Sequence, residues 1–158
     1  MNSFGTTESI CRAVEKYSSM LLHLAMTRLT SSADAEDTVQ EVFIRLMTKA
    51  PSFRDEEHEK AWLIRTTLNY AINLRKSSAY KSVPLDETVP AMQPEHSNLL
   101  SAVRSLPDKY SAVIHLHYYE GYSLKEISKL LGLPVATVGT RLTRGREKLR
   151  QLLKEDFA

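Results

Sequence analysis

Only one cysteine, Cys11, occurs among the 158 residues, so the chain cannot form an intrachain disulfide. Such scarcity is typical of proteins in a reducing compartment, and we therefore expect a cytoplasmic protein. Cys11 lies beside Ile10 in a helical pattern. We expect its side chain to be buried as a small hydrophobic group, and we do not expect a reactive thiol.

Long hydrophobic stretches are equally scarce. The longest, MLLHLAM from Met20 to Met26, is far too short to span a bilayer. The N-terminus also lacks the charged, apolar and small-residue segments of a secretory signal. We therefore expect no membrane contact by this chain itself.

Glycine and proline are rare in the first half, where only Gly5 and Pro51 precede residue 80. No stretch alternates apolar and polar residues as a half-buried strand would, so the hydrophobic period is helical. The pattern predicts three helices, the second capped by Ser31 or Ser32 and the third running from about Glu59 to Lys76. The apolar stripes of the first two are Ile10, Val14, Tyr17, Leu21 and Leu24, then Val39, Val42, Phe43 and Leu46.

The third predicted helix carries two separate stripes, because residues three and four apart share a face. Its apolar face consists of Ala61, Ile64, Leu68, Ala71 and Ile72. The other face consists of Trp62, Arg65, Thr66, Asn69, Asn73 and Lys76. The helix therefore presents one side to a core and a distinct polar side.

Three prolines, Pro84, Pro90 and Pro94, interrupt the stretch from Ser77 to Asn98, where no periodicity survives. A structureless stretch of this length is unusual inside a compact domain, so we expect a flexible linker over residues 79–97. It would join two small helical domains, residues 1–78 and 98–158. The predicted fold class is all-α.

Charge is distributed unevenly along the chain. Residues 1–60 carry 7 basic and 10 acidic side chains, whereas residues 61–158 carry 14 and 9. The stretch from Pro134 to Lys154 alone has 6 basic side chains and 1 acidic one. A local basic stripe is typical of a nucleic-acid binder, although the solvated face of an ordinary helix has the same composition.

A helix-turn-helix unit is indicated by the sequence SLKEISKLLGLPVATVGTRLTRGREKLRQLL, from Ser123 to Leu153. Ser123 and Glu126 have the spacing of a capping box, in which each side chain satisfies a backbone donor of the other. Gly132 stands where the first helix should end, and Pro134 suits the start of the second. Two helices joined by a short turn that contains glycine are typical of this motif.

The second helix of the unit has an inward and an outward stripe. The inward stripe is Val138, Leu142, Gly145, Leu149 and Leu152. A recognition helix places its N-terminal residues on base edges and its basic residues on phosphates. The base-edge candidates are Ala136, Thr137, Thr140 and Arg141, and the phosphate candidates are Arg144, Arg146 and Lys148.

Two blocks of sequence resemble the extracytoplasmic-function (group IV) sigma factors of bacterial RNA polymerase, which belong to the sigma-70 family. The first block, DAEDTVQEVFIRL at Asp34–Leu46 and AWLIRTTLNYAINLRK at Ala61–Lys76, resembles region 2. The second, LPDKYSAVIHLHYYEGYSLKEISKLLGLPVATVGTRLTRGREKL at Leu106–Leu149, resembles region 4. The resemblance implies a promoter-specificity subunit that works with core polymerase, without a cofactor and without chemistry of its own.

Region 2 of the family has two tasks, and the resemblance assigns residues to both. Polymerase-facing residues would dock on the clamp helices of the largest subunit; they are Asp37, Gln40, Glu41 and Arg45. The following helix would engage the melted −10 element through Trp62, Arg65, Asn69, Asn73 and Lys76. Aromatic stacking and hydrogen bonds to a flipped base would hold the opened strand. Trp62 has an alternative place in the core.

Region 4 of the family implies that the basic helix reads the −35 element and that its domain contacts the flap of the second-largest subunit. The resemblance also implies control by an anti-sigma factor. One departure concerns Gly139, which follows Thr137-Val138 where the family often has a basic residue. Glycine removes a potential DNA contact there, or lets the backbone approach DNA more closely.

Other functions have less support. HEKAW at His58 begins like a zinc-protease motif, but Trp62 replaces the second histidine, and His115 and His117 point in different directions on a helix. No metal site and no catalytic site are expected. A stand-alone helix-turn-helix regulator with an effector-binding or dimerising N-terminal domain stays open, as does a helical adaptor. The regulator would bind duplex DNA unaided, and the adaptor would bind neither DNA nor polymerase.

Overall fold

The computed structural model describes residues 7–77 and 94–157, and every regular element within them is helical. A first bundle contains α1 (Thr7–Met26), α2 (Ser32–Lys49) and α3 (Glu56–Lys76). A second bundle contains α4 (Pro94–Ser105), α5 (Asp108–Ile114) with a π-helical turn (His115–Tyr119) after it, α6 (Leu124–Leu131) and α7 (Val135–Phe157). The predicted all-α fold with two small helical units is confirmed.

The predicted linker, residues 79–97, lies outside the described residues except for its last four. Residues 94–97 belong to α4, which therefore begins before the expected domain boundary at 98. Pro94 opens this helix, in agreement with the tolerance of a first helical turn for proline.

The ends of α2 and α3 follow from local side-chain chemistry. Ser31 Oγ accepts a hydrogen bond from the Asp34 amide at 3.3 Å and caps α2, which ends at Ala50 in the left-handed conformation with φ 42°. Asp55 caps α3 by accepting from the His58 amide at 2.8 Å. The cap sets the start of α3 at Glu56, earlier than the predicted Glu59.

The core of the first bundle contains most of the predicted stripes, with two corrections in α1. The buried α1 side chains are Ala13, Tyr17, Leu21, Leu24, Ala25 and Met26. Val14, expected inside, is 38% exposed because Ala13 takes its place in the stripe. Cys11, expected to be buried, is exposed. It precedes Ala13 by two residues, which at about 100° per residue puts it nearly opposite the buried face.

The two bundles pack against each other. One continuous cluster of buried side chains includes residues of both, and α3 lies against α6. Arg28, in the loop after α1, is 1% exposed and donates from Nη2 to the carbonyls of Val103 (3.0 Å) and Leu106 (3.2 Å). Its Nη1 pairs with the carboxylate of Asp108. The bundles are therefore joined by apolar packing and by the contacts of one buried arginine.

Candidate nucleic-acid interface

The helix-turn-helix unit consists of α6, a short turn and α7. Ser123 Oγ accepts from the Glu126 amide, and Glu126 Oε1 accepts from the Ser123 amide, both at 3.1 Å, so the predicted capping box is present. Gly132 ends α6 in the left-handed conformation with φ 68°. Ser128 Oγ donates to the Leu133 carbonyl across the turn. These contacts fix the direction in which α7 leaves the turn.

The candidate contacts on α7 lie away from its buried stripe. Val138, Leu142 and Gly145 are buried, and Leu149 and Leu152 are half-buried. Exposed candidates are Ala136, Thr140, Arg144, Arg146 and Lys148, and half-buried ones are Thr137 and Arg141. The basic side chains therefore form an exposed face of α7 in the folded protein, beginning just after the turn.

Arg146 departs from the rest of the stripe. Its Nη1 donates to the hydroxyl of Tyr118 at 3.0 Å, which draws the guanidinium towards the π-helical turn. Tyr118 and Tyr119 are 52% and 61% exposed. The π-helical turn therefore adds aromatic surface beside the basic helix, a feature that sequence reasoning did not include.

The two glycines of α7 face the body of the second bundle. A Cβ on Gly139 would lie 3.6 Å from Cδ2 of Leu124 in α6, an ordinary contact. A Cβ on Gly145 would lie 3.0 Å from Cγ1 of Ile114 and 3.2 Å from Cβ of Tyr110. Gly145 is thus needed for close packing of α5 on α7, whereas Gly139 borders α6 and not the exposed stripe.

On α3, Asn69 and Asn73 are exposed neighbours one turn apart. With Arg45, Tyr70 and Leu74 they line an open pocket of about 300 Å³ between α2 and α3. The Arg45 guanidinium lies 5.1 Å from the centre of the Tyr70 ring. Amide groups that donate and accept, beside an aromatic ring and a guanidinium, match the chemistry that holds an unstacked base.

Trp62 combines the two places that the sequence allowed. It is half-buried and packs partly against the core. Its ring meets Phe53 edge to face at 5.9 Å, and Phe53 meets His58 at 5.3 Å. The loop between α2 and α3 is therefore tied to the start of α3 by an aromatic chain, with part of the Trp62 ring still accessible.

The remaining basic candidates of α3 are turned towards the second bundle. Arg65 donates from Nε to the Leu130 carbonyl at 2.7 Å and from Nη2 to the Lys129 carbonyl at 2.9 Å. Lys76 Nζ lies 3.9 Å from Oδ2 of Asp108. Arg65 and Lys76 thus have partners in the second bundle that the local sequence pattern does not reveal.

The predicted polymerase-facing residues form one face of α2. Asp37 and Gln40 are exposed, while Glu41 and Arg45 are half-buried and form an ion pair with an Nε–Oε1 distance of 3.2 Å. Because Arg45 also lines the pocket beside Asn69, it borders both candidate surfaces.

Sequence reasoning missed an apolar groove of about 690 Å³ between α1 and α2. Val14, Ile44 and Met47 line it and are 38%, 45% and 53% exposed. Ile44 and Met47 each follow a buried residue of the α2 stripe, Phe43 and Leu46. This second apolar stripe on α2 was the signal in the sequence that could have revealed the groove. A helix that buries only one face does not require a second stripe.

The pKa values of Glu59 and Glu126 are shifted, each for a clear physical cause. Burial, assisted by repulsion from Glu56, raises the pKa of the Glu59 carboxyl in the first turn of α3. The hydrogen bond from the Ser123 backbone lowers the pKa of Glu126 in the capping box.

Neither a metal centre nor a membrane span is found in the part of the chain that the structure describes. Histidine, cysteine and acidic side chains form no cluster of three there that could hold a metal ion. None of the described helices has both the length and the apolarity needed to cross a membrane.

Comparison with known families covers both bundles. The model of "Sigma-70 region 2" matches residues 13–79, and the model of "Sigma-70, region 4" matches residues 96–149. The chain is 32% identical to the ECF RNA polymerase sigma factor SigW of Bacillus subtilis (strain 168) in an alignment of 172 positions, gaps included. The alignment covers 96% of this chain and 92% of SigW. The chain belongs to the ECF sigma factors of the sigma-70 family.

Two solved structures are similar to this sigma factor. CnrH, solved in complex with the cytosolic domain of CnrY, matches with a TM-score of 0.75 and 26% identity over 96% of this chain and 92% of that one. The sigma factor RpoE of Bartonella quintana, solved with the anti-sigma factor NepR, matches in fold with a TM-score of 0.72 and 21% identity, covering 94% and 98%.

This sigma factor directs promoter recognition by RNA polymerase, and it is an initiation factor without enzymatic activity. Sigma factors bind core RNA polymerase and promoter DNA, so the surfaces described above are candidates for those two partners.

Proposed function

We propose that the two bundles of this sigma factor divide the promoter between them. Residues 98–158 would act as region 4 and bind the −35 element, and residues 1–78 would act as region 2 and open the −10 element. The observation that carries the proposal is the exposed basic stripe of α7, which directly follows the helix-turn-helix turn and lies opposite a buried stripe.

At the −35 element, the first turns of α7 enter the major groove. Ala136, Thr137, Thr140 and Arg141 lie nearest the turn and would meet base edges, whereas Arg144, Arg146 and Lys148 would meet phosphates. Thr140 donates its hydroxyl to the Ala136 carbonyl at 3.0 Å, which leaves its oxygen free to accept from a base. Gly139 faces α6, so the reading face does not depend on it.

At the −10 element, the pocket beside Asn69 and Asn73 would receive a base taken out of the stack. Trp62, about two helical turns before Asn69 and outside the pocket lining, would supply a stacking surface, and Arg65 and Lys76 would supply charge for the strand backbone. The amide pair can read the hydrogen-bonding edge of the base, which makes this pocket the candidate for sequence preference in the opened strand.

Core polymerase would dock on α2 through Asp37, Gln40, Glu41 and Arg45, with the clamp helices of the largest subunit as partner. The adjoining apolar groove between α1 and α2 would take part in the same contact, because exposed apolar side chains beside a polar rim are typical of a protein interface. The second bundle would contact the flap of the second-largest subunit.

An anti-sigma factor is the proposed regulator, since RpoE of similar fold is held by NepR. The proposed site of action is the cytoplasm, because core polymerase acts there.

Run-off transcription with reconstituted core polymerase tests the division of the promoter. Arg144→Ala should reduce transcripts from a promoter that needs its −35 element, because one phosphate contact is lost. Arg150→Ala is the matched control on the same helix: Arg150 is 63% exposed and pairs with Glu147 at 3.6 Å. Equal losses in both variants would contradict a directed −35 contact.

Promoter opening tests the pocket. Asn69→Ala should lower initiation on a closed promoter but not on a template whose −10 region is already unpaired, because the pocket contributes to opening. Equal impairment on both templates would assign Asn69 to a later step or to folding. Binding of duplex promoter DNA by the wild-type chain without polymerase would instead favour a stand-alone regulator.

Co-purification with core polymerase tests the groove. Ile44→Ser with Met47→Ser should weaken the complex without changing the helical content of the chain. Leu99→Ser is the control, because Leu99 is also an exposed apolar residue, at 43%, but lies on α4. If the control weakens the complex as much, the groove is not the docking surface.

A further inference from the structure

Arg146 lies on a different flank of α7 from the other cationic candidates. Helical residues turn by about 100° each, so Arg141, Arg144 and Lys148 lie within about 60° of one another around the helix axis. Arg146 lies about 140–160° from each of them by the shorter way round. It is nevertheless exposed, because it lies at the margin of the buried stripe and not within it. The basic side chains of α7 therefore occupy two nearly opposite flanks.

The π-helical turn supplies a partner on the flank of Arg146. Nη1 of Arg146 donates to the hydroxyl of Tyr118 at 3.0 Å, across 28 positions of sequence. Tyr118 is 52% exposed, so this hydrogen bond lies at the surface of the second bundle. A guanidinium and a phenol hydroxyl from separate elements therefore meet at a place that solvent or a ligand can reach.

The turn itself holds Tyr118 in place. The Glu120 amide donates to the His115 carbonyl, five residues earlier, at 3.1 Å, and turns of this kind are frequent at functional sites. The His117 ring meets the Tyr118 ring edge to face, with 4.8 Å between the ring centres. Nδ1 of His117 lies 2.8 Å from the Tyr122 carbonyl, and it carries the proton of this hydrogen bond because a carbonyl only accepts. The position of the phenol ring is therefore set by the turn.

Both partners keep donors after they have bound each other. A guanidinium has five N–H donors, and the bond to Tyr118 uses one of them. The Tyr118 hydroxyl accepts that bond and keeps its own proton to donate. Two adjacent groups that can donate, one of them positively charged, suit an anionic oxygen and above all a phosphate.

The acids nearest to this pair are engaged elsewhere. Glu147, which follows Arg146 in the chain, lies with Oε2 3.6 Å from Nη1 of Arg150. Glu120, at the end of the π-helical turn, lies with Oε1 3.6 Å from Nε2 of His115. The positive charge of Arg146 is therefore left for a ligand from outside the bundle.

The width of the major groove relates the two flanks of α7 to the two strands of DNA. An α-helix with its side chains is about 10–12 Å across, and the major groove is about 12 Å wide. A helix that enters the groove therefore approaches both of its walls. Each wall is the phosphate backbone of one strand, so cations on opposite flanks of the helix face different strands.

We propose that Arg146 and Tyr118 together bind a backbone phosphate of the −35 element, on the strand opposite to the one that Arg144 binds. The inference rests on the proposed function of α7. Tyr118 directs the guanidinium towards its wall of the groove and adds a second donor to the same phosphate. Contacts on both walls fix the rotation of α7 about its own axis, and this rotation decides which side chains meet base edges.

Neutral methylphosphonate groups, introduced one at a time into each strand of the −35 element, test this assignment with reconstituted holoenzyme. Neutralising a bound phosphate should weaken wild-type binding about ten-fold, and such positions should occur on both strands. Arg146→Ala should lose its sensitivity to a methylphosphonate on one strand, and Arg144→Ala should lose it on the other. Loss of sensitivity on the same strand in both variants would overturn the proposal.

Tyr118→Phe tests the part of the hydroxyl, because it keeps the ring and with it the fold, which circular dichroism verifies. Binding to the unmodified promoter should weaken about two- to ten-fold, and sensitivity should fall only at the phosphate assigned to Arg146. Tyr119→Phe is the matched control: Tyr119 is 61% exposed in the same turn, and its ring packs on His115 and His23. Equal losses in the two variants would refute a directed contact by Tyr118.

Combining Tyr118→Phe with Arg146→Ala tests whether the two side chains share one phosphate. The double variant should bind little worse than Arg146→Ala, because the shared contact is already lost. Fully additive losses would show that Tyr118 acts elsewhere. Failure of the proposed function is a separate result, since the wild-type holoenzyme would then be insensitive to every neutralised phosphate of the −35 element. Sensitivity confined to one strand would overturn only the inference about Arg146 and Tyr118.

Discussion

Gly139 and Gly145 lie on the same helix, α7, and replacing each by alanine should change stability in opposite directions. In a helix interior, alanine is favoured over glycine by about 1 kcal/mol, and both variants would gain that amount. At Gly139 the new methyl group would lie 3.6 Å from Leu124, an ordinary contact, so the gain should remain. Gly139→Ala is therefore expected to stabilise the protein by about 0.5–1 kcal/mol.

At Gly145 the methyl group would meet Ile114 at 3.0 Å and Tyr110 at 3.2 Å. Both neighbours are buried, at 3% and 5% exposure, and have little room to move. Overpacking of this kind costs about 1–3 kcal/mol, which offsets the gain in helix propensity. Gly145→Ala should therefore be destabilising, by about 1 kcal/mol net after the two effects are combined.

Urea unfolding followed by circular dichroism measures both free energies, and a change of 1 kcal/mol should move the melting temperature by about 2–4 °C in a chain of this size. Equal stabilisation by the two substitutions would refute the packing argument at Gly145. Gly139→Ala should also keep its −35 dependence in run-off transcription, because Gly139 borders α6. Loss of that dependence would support the alternative that glycine lets the protein backbone approach DNA closely at position 139.

Three further predictions concern single side chains. Ser123→Ala should lower the free energy of unfolding by about 1 kcal/mol in urea titrations, because the α6 cap is lost. Glu126 has a lowered pKa in the folded protein, so the stability that its carboxylate contributes is present at neutral pH. That stability is lost as pH falls through the lowered pKa. Glu59→Gln should raise the urea midpoint at neutral pH, because the pKa of Glu59 is raised by burial and its ionised form opposes folding. The difference in midpoint between variant and wild type should shrink as pH falls through the raised pKa. A difference that does not depend on pH would contradict this explanation. For holoenzyme on promoter DNA, Arg144→Ala should reduce the steepness of the salt dependence by about one unit in a plot of log affinity against log salt, and Arg150→Ala should leave it unchanged.

Much of the fold was predictable because its causes lie within a few residues. The capping box of Ser123 and Glu126, the left-handed Gly132 and the buried stripe of α7 each depend on neighbours at most one or two turns away. The start of α3 was wrong by three residues, since Asp55 competes successfully for the cap. The candidate DNA-binding stripe on α7 was visible for the same reason: a helix that buries one face must expose the other.

The two errors in α1 have a different origin. Cys11 and Val14 were assigned to the core because they are apolar and lie near the expected stripe. The choice between adjacent stripes depends on where α2 and α3 lie, and the packing selects Ala13 in place of Val14. The groove left between α1 and α2 follows from the same choice.

The sequence by itself determined the helices, the caps of α2 and α6 and the basic face of α7, because these follow from periodicity and from contacts between near neighbours. The order of the two sigma regions came from the resemblance of the two sequence blocks to the family. Only the tertiary structure decided that Arg28 pairs with Asp108, 80 residues away, and that Arg65 binds the end of α6. The residue type fixes the charge and the length of a side chain. Its partner is chosen by which surfaces the burial of apolar groups brings together, and that choice involves the whole chain at once.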